Sequence, residues 1–397
     1  MKIRKLLLSL GVFLMTPAFC HAENNDISNV INNDINFSTR QYSLMLQQIG
    51  REGKVRIPKT IDKLGRVVYI PIDDWCSGFF PGSLCYLYQL TNDKSWLLQS
   101  KRFTEALDSI QYLTWHHDVG FMIGSSYLNI YRLNPNKAYK KAIIQTAKSL
   151  CTRFRKKAGV IQSWNVDRGW QSKRGWTCPV IIDNMMNLEL LFEATRLSGD
   201  STYWKVAVSH ANKTLENQFR KDGSCYHVVD YDPNNGAVLH RQTAQGYADN
   251  SAWARGQAWA VYGYTVCYRY THDRKYLDQA VKTLNFVMQN PNLPDDLIPY
   301  WDFDAPNIPN EPRDASSAAC IASALYEMNN YLPDNGYTSL ADRIIRSLSS
   351  PEYRAPLGKN GCFLLMHSVG SIPHNNEIDV PLNYADYYFL EALTRRK

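Results

Sequence analysis

At 397 residues the chain suffices for one large domain or two ordinary ones, and with 45% apolar residues its core needs neither disulfides nor a metal to hold it together. The formal charge of +7 falls to +4 without Lys2, Arg4 and Lys5, and the remaining basic residues are scattered, which argues against a nucleic-acid partner. The one tight cluster, Arg153, Arg155, Lys156 and Lys157, reads as a solvated face at a helix end. Aromatic residues reach 12%, with 10 Trp and 25 Tyr; such rings suit the C–H faces of sugars and, equally, a Tyr-rich helical core.

Residues 1–22 read as a secretory signal: three basic residues, the apolar run Leu6–Met15, then Cys20-His21-Ala22 as a cleavage site. The run is too short to span a bilayer, and no other stretch resembles a membrane span. Bulky Phe19 stands before Cys20 where a lipoprotein site wants a small residue, so a soluble periplasmic protein is expected over a tethered one. The eight cysteines that follow, Cys76, Cys85, Cys151, Cys178, Cys225, Cys267, Cys320 and Cys362, show no zinc-ligand spacing, and most are expected as buried free thiols.

Beyond the signal, one design recurs: a turn with Asn, Asp or Pro, then an aromatic, then an amphipathic helix. It stands at Thr91–Trp96, Ser198–Trp204 and Thr271–Tyr276, and more loosely at Asn134–Tyr139 and Pro333–Tyr337. After Asp273 the residues Leu277, Ala280, Val281, Leu284, Val287 and Met288 form a helical stripe. Helical segments precede these turns at Gly78–Leu90, Asp118–Leu133, Val180–Leu197, Asn250–Tyr270 and Asp314–Asn329. Helix–turn–helix repetition permits an open solenoid or a closed ring. Trp, Asp, Arg and Asn among the apolar residues of the first helices favour the ring, where their N-terminal ends can line a central pocket. The expected fold is all-α: residues 23–397 as a single (α/α)6 barrel of six helical hairpins, closed by Phe37–Gln48 and Leu382–Leu393. Pro291–Pro312 is then a loop over its mouth.

Three segments place ionisable groups beside aromatics: Trp115–Phe121, Pro179–Asn187 and Gln245–Trp259. Pro179 suits a first helical turn, which puts Asp183 a turn further in, on a face with Val180, Asn187 and Leu190. Desolvation there would raise its pKa, as a general acid requires; the alternative is an Asp capping its own helix or pairing with Arg. Asp118 reads first as a helix N-cap, and otherwise as a charge facing Asp183. Arg255, between Trp253 and Trp259, suits a substrate carboxylate through bidentate hydrogen bonds, or else a structural salt bridge and a Trp stack. His117, His227 and Gln245 are polar candidates to orient hydroxyls, or satisfied structural residues.

These segments, with Asp74-Trp75, Ser77–Gly82, Asp379–Leu382 and Asp386–Leu393, resemble in order the unsaturated glucuronyl hydrolases of glycoside hydrolase family 88. The resemblance implies an (α/α)6 barrel, no cofactor, Asp183 as acid/base and Asp118 as its essential helper. It further implies a pocket of Trp75, His117, His227, Gln245, Trp253, Arg255 and Trp259. The implied reaction hydrates the C4=C5 bond of a terminal unsaturated uronic acid on a di- or oligosaccharide; separately from the resemblance, a monomer or weak homo-oligomer is expected. Ser368 and Ser371 match part of a Ser-x-x-Ser-x-Lys pattern of members accepting sulfated sugars, but Pro373 replaces the Lys, and Ala244 stands where relatives often carry His. Two other readings are an unsaturated rhamnogalacturonyl hydrolase acting on pectin fragments, and a non-catalytic periplasmic glycan-binding protein. Retention of both Asp118 and Asp183 speaks against the second, since binding alone needs no buried acid.

Overall fold

The computed structural model of the protein describes residues 17–50 and 55–397, with side chains from Ile27 onward. Of the signal expectation at 1–22, residues 1–16 and the Cys20 side chain lie outside the described residues.

The helices run α1 Pro17–Ile49, α2 Phe79–Thr91, α3 Lys94–Glu105, α4 Val119–Ile123, α5 Asn129–Leu133, α6 Lys137–Cys151, α7 Leu188–Ser198, α8 Ser201–Asn217, α9 Ala254–Thr271, α10 Arg274–Gln289, α11 Ala315–Tyr331, α12 Tyr337–Leu348 and α13 Asn383–Arg396. A π-helical turn, Gly124–Leu128, joins α4 to α5, so 119–133 acts as one helix. An inner ring of α2, 119–133, α7, α9, α11 and α13 packs neighbour to neighbour and closes on itself. The outer helices α3, α6, α8, α10, α12 and α1 each lie against an inner partner. This is the (α/α)6 barrel.

Local chemistry explains the hairpins. Asn92, Gly199 and His272 end inner helices in the left-handed conformation that stops a helix. The next residues but none beyond, Asp93, Asp200 and Asp273, then cap α3, α8 and α10, each carboxylate accepting the backbone N–H two residues on. Outer helices show one apolar stripe: α10 buries Tyr276, Leu277, Ala280, Leu284 and Val287, as its spacing predicts. Inner helices are covered on every side, so α9 is buried without a break from Ala254 to Cys267. Gly78 lets α2 approach closely, since a Cβ there would meet the Met122 carbonyl oxygen at 2.0 Å.

Three expectations need correcting. Pro179–Ile181 is a strand, not a helix start. It is β5 of a three-stranded antiparallel sheet with β6 Val228–Tyr231 and β7 Val238–Gln242; the other described strands form two separate hairpins, β1 Ile57–Ile61/β2 Val67–Ile70 and β3 Phe154–Arg155/β4 Val160–Ile161. The β-branched run Val180-Ile181-Ile182 prefers the pleated form, and a proline is tolerated as the first strand residue. Val180 therefore packs with Ala158, Val160, Cys178, Val229 and Tyr231, off the Asp183 face. Arg153 is not on a solvated face; it is 3% exposed and donates to the carbonyls of Gln162, Ser163 and Thr114. The eight cysteines are free, and all but Cys151 are buried. The Pro291–Pro312 loop does fold over the barrel mouth, where Ala254 N–H donates to the Trp301 carbonyl. No helix among the described residues is long and apolar enough to cross a membrane.

Candidate active site

The N-terminal ends of the inner helices converge on one end of the barrel and bring together segments far apart in sequence. Asp183 enters on the short 3-10 turn Ile182–Asn187 that links β5 to α7. It is 7% exposed, and its Oδ2 has no hydrogen-bond partner. Burial pushes its carboxyl up to about 7; Arg255 pulls it down, and the charge of Asp118 adds to the rise. A half-neutral carboxylic acid at neutral pH is the outcome.

Asp118 precedes α4 but does not cap it: its side chain makes no capping bond. The carboxylate turns instead to two imidazoles, with Oδ2 3.1 Å from His116 Nδ1 and Oδ1 3.2 Å from His117 Nε2. Burial pushes the Asp118 carboxyl up, but His117, His116 and Arg153 outweigh it, and its pKa falls below the ordinary value. Two carboxyls within each other's field are thus driven apart, one toward the acid form and one toward the anion, the arrangement that divides labour between proton donor and charge stabiliser.

His117 is fully buried and pushed down to about 4, so it is a neutral ring at working pH. Its Nδ1 lies 3.2 Å from Asn187 Nδ2, which as a donor leaves the ring proton on Nε2, beside Asp118. Asn187 also accepts from Phe121 N–H at 2.9 Å and donates to Asn184 Oδ1, while Asn184 donates to the Ile161 carbonyl. Gly120 makes room for this brace, since a Cβ there would lie 2.3 Å from Asn187 Oδ1.

His227, on the turn before β6, accepts the backbone N–H groups of Ala244 and Gln245 at Nδ1, at 3.0 and 3.2 Å. Its proton is therefore on Nε2, 3.6 Å from Asp183 Oδ2, and burial holds its pKa well below the usual range. Trp259, 1% exposed, lies close enough to Asp183 to favour its anion slightly, and its indole N–H has no partner of hydrogen-bond geometry. Trp75 packs on Phe121 and Tyr384, and Trp253 on His227.

Of its two readings, Arg255 takes the structural salt bridge and Trp stack. Its fork is already committed: Nη1 to Asp314 Oδ2 at 3.3 Å and to the Val369 carbonyl, Nη2 to Gln245 Oε1 at 3.2 Å and the Gly370 carbonyl at 2.6 Å. Its guanidinium also stacks 4.5 Å from the Trp253 ring. A buried cation demands a buried anion, and Asp314, an N-cap of α11 with no exposed surface, supplies it. Arg255 thus tethers the loop that carries Ser368 and Ser371, and does not offer a free bidentate fork. Ser371 Oγ is 2.7 Å from His374 Nδ1, while Ser368 Oγ is buried without a partner.

Buried polar atoms without partners are rare in a folded protein. Among the described residues several of them lie at this end, Asp183 Oδ2, His117 Nε2, His227 Nε2, Trp259 Nε1, Ser368 Oγ and Tyr384 Oη, while others such as Ser38 Oγ, Thr104 Oγ1 and Thr195 Oγ1 lie elsewhere. A cavity of about 610 Å³ is bounded by Trp115, His116 and Trp164, and two of these walls touch site residues, His116 on Asp118 and Trp164 on His227. Another, about 620 Å³, opens among the C-terminal ends of the inner helices, where Arg132, Arg269 and Arg395 are paired with Glu189, Glu193, Glu327 and Glu391. Its charges satisfy one another, so it offers no unmatched group to a substrate.

Asp314, Tyr384 and the Asn184–Asn187 brace were missed as separate site members. Asp314 is signalled by the pattern Asp-x-Ser-Ser ahead of an Ala-rich helix, which reads as a cap alone.

The chain belongs to Glycosyl Hydrolase Family 88, whose sequence model matches residues 58–392. It is 46% identical over 347 residues to an unsaturated glucuronyl hydrolase of Formosa agariphila, covering 87% of this chain and 86% of that protein. It is 32% identical over 372 residues to an unsaturated chondroitin disaccharide hydrolase of Streptococcus agalactiae, covering 86% and 92%. A crystal structure of an unsaturated glucuronyl hydrolase specific for heparin superposes with a TM-score of 0.88 at 45% identity, covering 93% of this chain and 97% of that one.

Proposed function

We propose that this enzyme hydrates the C4=C5 double bond of a terminal unsaturated uronic acid on lyase-generated glycosaminoglycan oligosaccharides, releasing the 4-deoxy-5-keto-uronate and the aglycone sugar. The observation that carries the reading is Asp183, a buried acid with a pKa about 7 and an unpartnered oxygen, set beside an ionised Asp118. Membership of the family supports the same chemistry.

The substrate is a vinyl ether, because C5 carries both the alkene and the ring oxygen. Asp183 donates its proton to C4, and positive charge develops on C5 and the ring oxygen. Anionic Asp118 stabilises that cation in a site of low dielectric. Water adds to C5 and returns a proton to the Asp183 carboxylate, which restores the acid. The hemiketal opens by breaking the bond from C5 to the ring oxygen, and the hemiacetal left at C1 expels the aglycone alcohol. No leaving-group protonation precedes the first step, so the carboxyl spacings that separate retaining from inverting glycosidases do not apply. His227, with its proton on Nε2, and Trp259 stand ready to hold substrate oxygens near Asp183.

Export to the periplasm is part of the proposal and rests on the pattern at residues 1–22. The test is to offer unsaturated disaccharides from heparin, chondroitin, hyaluronan and pectin, and to follow loss of the alkene's ultraviolet absorbance. Turnover of glucuronyl substrates supports the reading; turnover of the pectin fragment alone moves it to the rhamnogalacturonyl class; no turnover of any overturns it.

A further inference from the structure

We infer that Arg153 is a positioning residue for the reaction: its fork fixes the segment that carries Asp118, and its guanidinium is the permanent positive charge facing that carboxylate. The inference rests on the reading above and deepens it.

Arg153 stands between α6 and β3, is 3% exposed, and bonds only to neutral oxygens. Nε donates to the Gln162 carbonyl at 2.8 Å, Nη1 to the Thr114 carbonyl at 2.8 Å and Asn165 Oδ1 at 3.1 Å, and Nη2 to the Ser163 carbonyl at 3.2 Å. A buried arginine ordinarily has an anion beside it, as Arg255 has Asp314. No carboxylate forms an ion pair with Arg153 among the described residues, and the carboxylate whose charge acts on it is Asp118.

Two of the carbonyls lead into the catalytic segment. Thr114 opens the run Thr114-Trp115-His116-His117-Asp118, in which His116 Nδ1 is 3.1 Å from Asp118 Oδ2. The Ser163 carbonyl also accepts His117 N–H at 3.2 Å, and His117 Nε2 is 3.2 Å from Asp118 Oδ1. The fork thus braces both imidazoles that flank Asp118. Ser163 Oγ in turn accepts Ile181 N–H at 3.0 Å, just ahead of the turn that carries Asp183. One guanidinium therefore clamps the backbone behind both carboxyls.

Its charge is the lasting one. His117 is a neutral ring at working pH, and an imidazole's charge comes and goes with pH, whereas a guanidinium keeps its own. Burial and Arg155 lower the Arg153 pKa to about 10 and Asp118 holds it up, so Arg153 is charged throughout the working range. The other groups packed around Asp118 do not take its place. Asp183, on the turn before α7, is a like charge. Glu189 and Glu193 of α7 are paired with Arg132 and Arg196. Asp108, on the turn against α4, accepts from Gln111 and Tyr127. The α6 lysines Lys137, Lys140, Lys141 and Lys148 are exposed.

The test is the pH dependence of kcat/KM in full-length Arg153→Gln and Arg153→Lys, read by loss of alkene absorbance, with folding checked by circular dichroism. Gln keeps N–H donors and drops the charge; Lys keeps the charge and drops the fork. Asp118 must be ionised to act, and losing a nearby cation raises its pKa. The acidic limb should therefore rise by about one pH unit in Arg153→Gln. In Arg153→Lys the limb should stay at its wild-type position while kcat falls about ten-fold. A residue that only held the fold together would lower activity in both variants and move the limb in neither. An unmoved limb in folded Arg153→Gln overturns the inference, as does a raised limb or an unchanged kcat in Arg153→Lys. Should Arg153→Gln not fold, Arg153→Lys decides by those last two outcomes. Failure of the functional reading would look different: the wild-type enzyme would consume no alkene at any pH.

Discussion

His227 and Asp183 face each other across 3.6 Å, and the ring can only offer a proton in that direction. Its Nδ1 is held as an acceptor by the Ala244 and Gln245 amides, and burial keeps the second proton off. The protein thus fixes a donor beside a carboxyl that must alternate between acid and anion.

Asp183→Asn keeps the shape of the side chain but cannot give or recover a proton. The expected loss in kcat is at least the roughly 10²–10⁴-fold ascribed to a general acid. Circular dichroism should be unchanged. Near-normal turnover in a folded variant would remove Asp183 from the reaction.

The acid form of Asp183 is the active one, and its pKa is about 7, so kcat/KM should hold through mildly acidic pH and decline above about 7. Asp118 must be ionised and lies below the ordinary carboxylate range, which puts the acidic limb lower still. Asp118→Asn removes one upward push on Asp183. The basic limb should then move to lower pH, with a large drop in rate; a limb that stays in place shows the two groups are not coupled.

The same carboxyl costs stability. A buried acid with a raised pKa is neutral when folded and ionised when unfolded, so folding loses ground as pH rises from about 4, the unfolded value, through about 7. Asp183→Asn should melt a few degrees higher than wild type at pH 8 and match it at pH 4. Equal melting temperatures at both would show that residue 183 is not desolvated.

Gly120→Ala tests the brace behind His117. Its new Cβ would press on Asn187 Oδ1 and push Asn187 away from Phe121 N–H and His117. The variant should lose roughly 1–3 kcal/mol by denaturant unfolding, the usual overpacking cost, and should lose kcat more than it gains KM. Wild-type behaviour would mean that the contact is readily relieved.

Arg255 and Asp314 form a buried pair with almost no exposed surface. Asp314→Ala strands a cation, and a cost of roughly 3–5 kcal/mol is expected. Arg255→Lys keeps the charge but loses the fork that holds the Val369 and Gly370 carbonyls, so KM should rise as the loop bearing Ser368 and Ser371 loosens. An unchanged KM would argue against the tether.

The amino-acid sequence by itself determined the hairpins, because their signals act within a few residues. Asp93, Asp200 and Asp273 cap helices two residues away, and the α10 stripe repeats every three or four positions. It also pointed to Asp183 and Asp118, through segments whose order matches the family. Where Pro179 was read as a helix start, the residues that overrule it are on β6, about 50 positions distant, and a short apolar run carries no sign of that partner. Which carboxyl is neutral, which histidine nitrogen holds the proton and what occupies Arg255 were decided only by the tertiary structure. Arg255 meets partners 59 to 115 residues further along the chain. Burial sets the Asp183 pKa, and burial belongs to the whole barrel: six helix ends must assemble before the water around that carboxyl is gone.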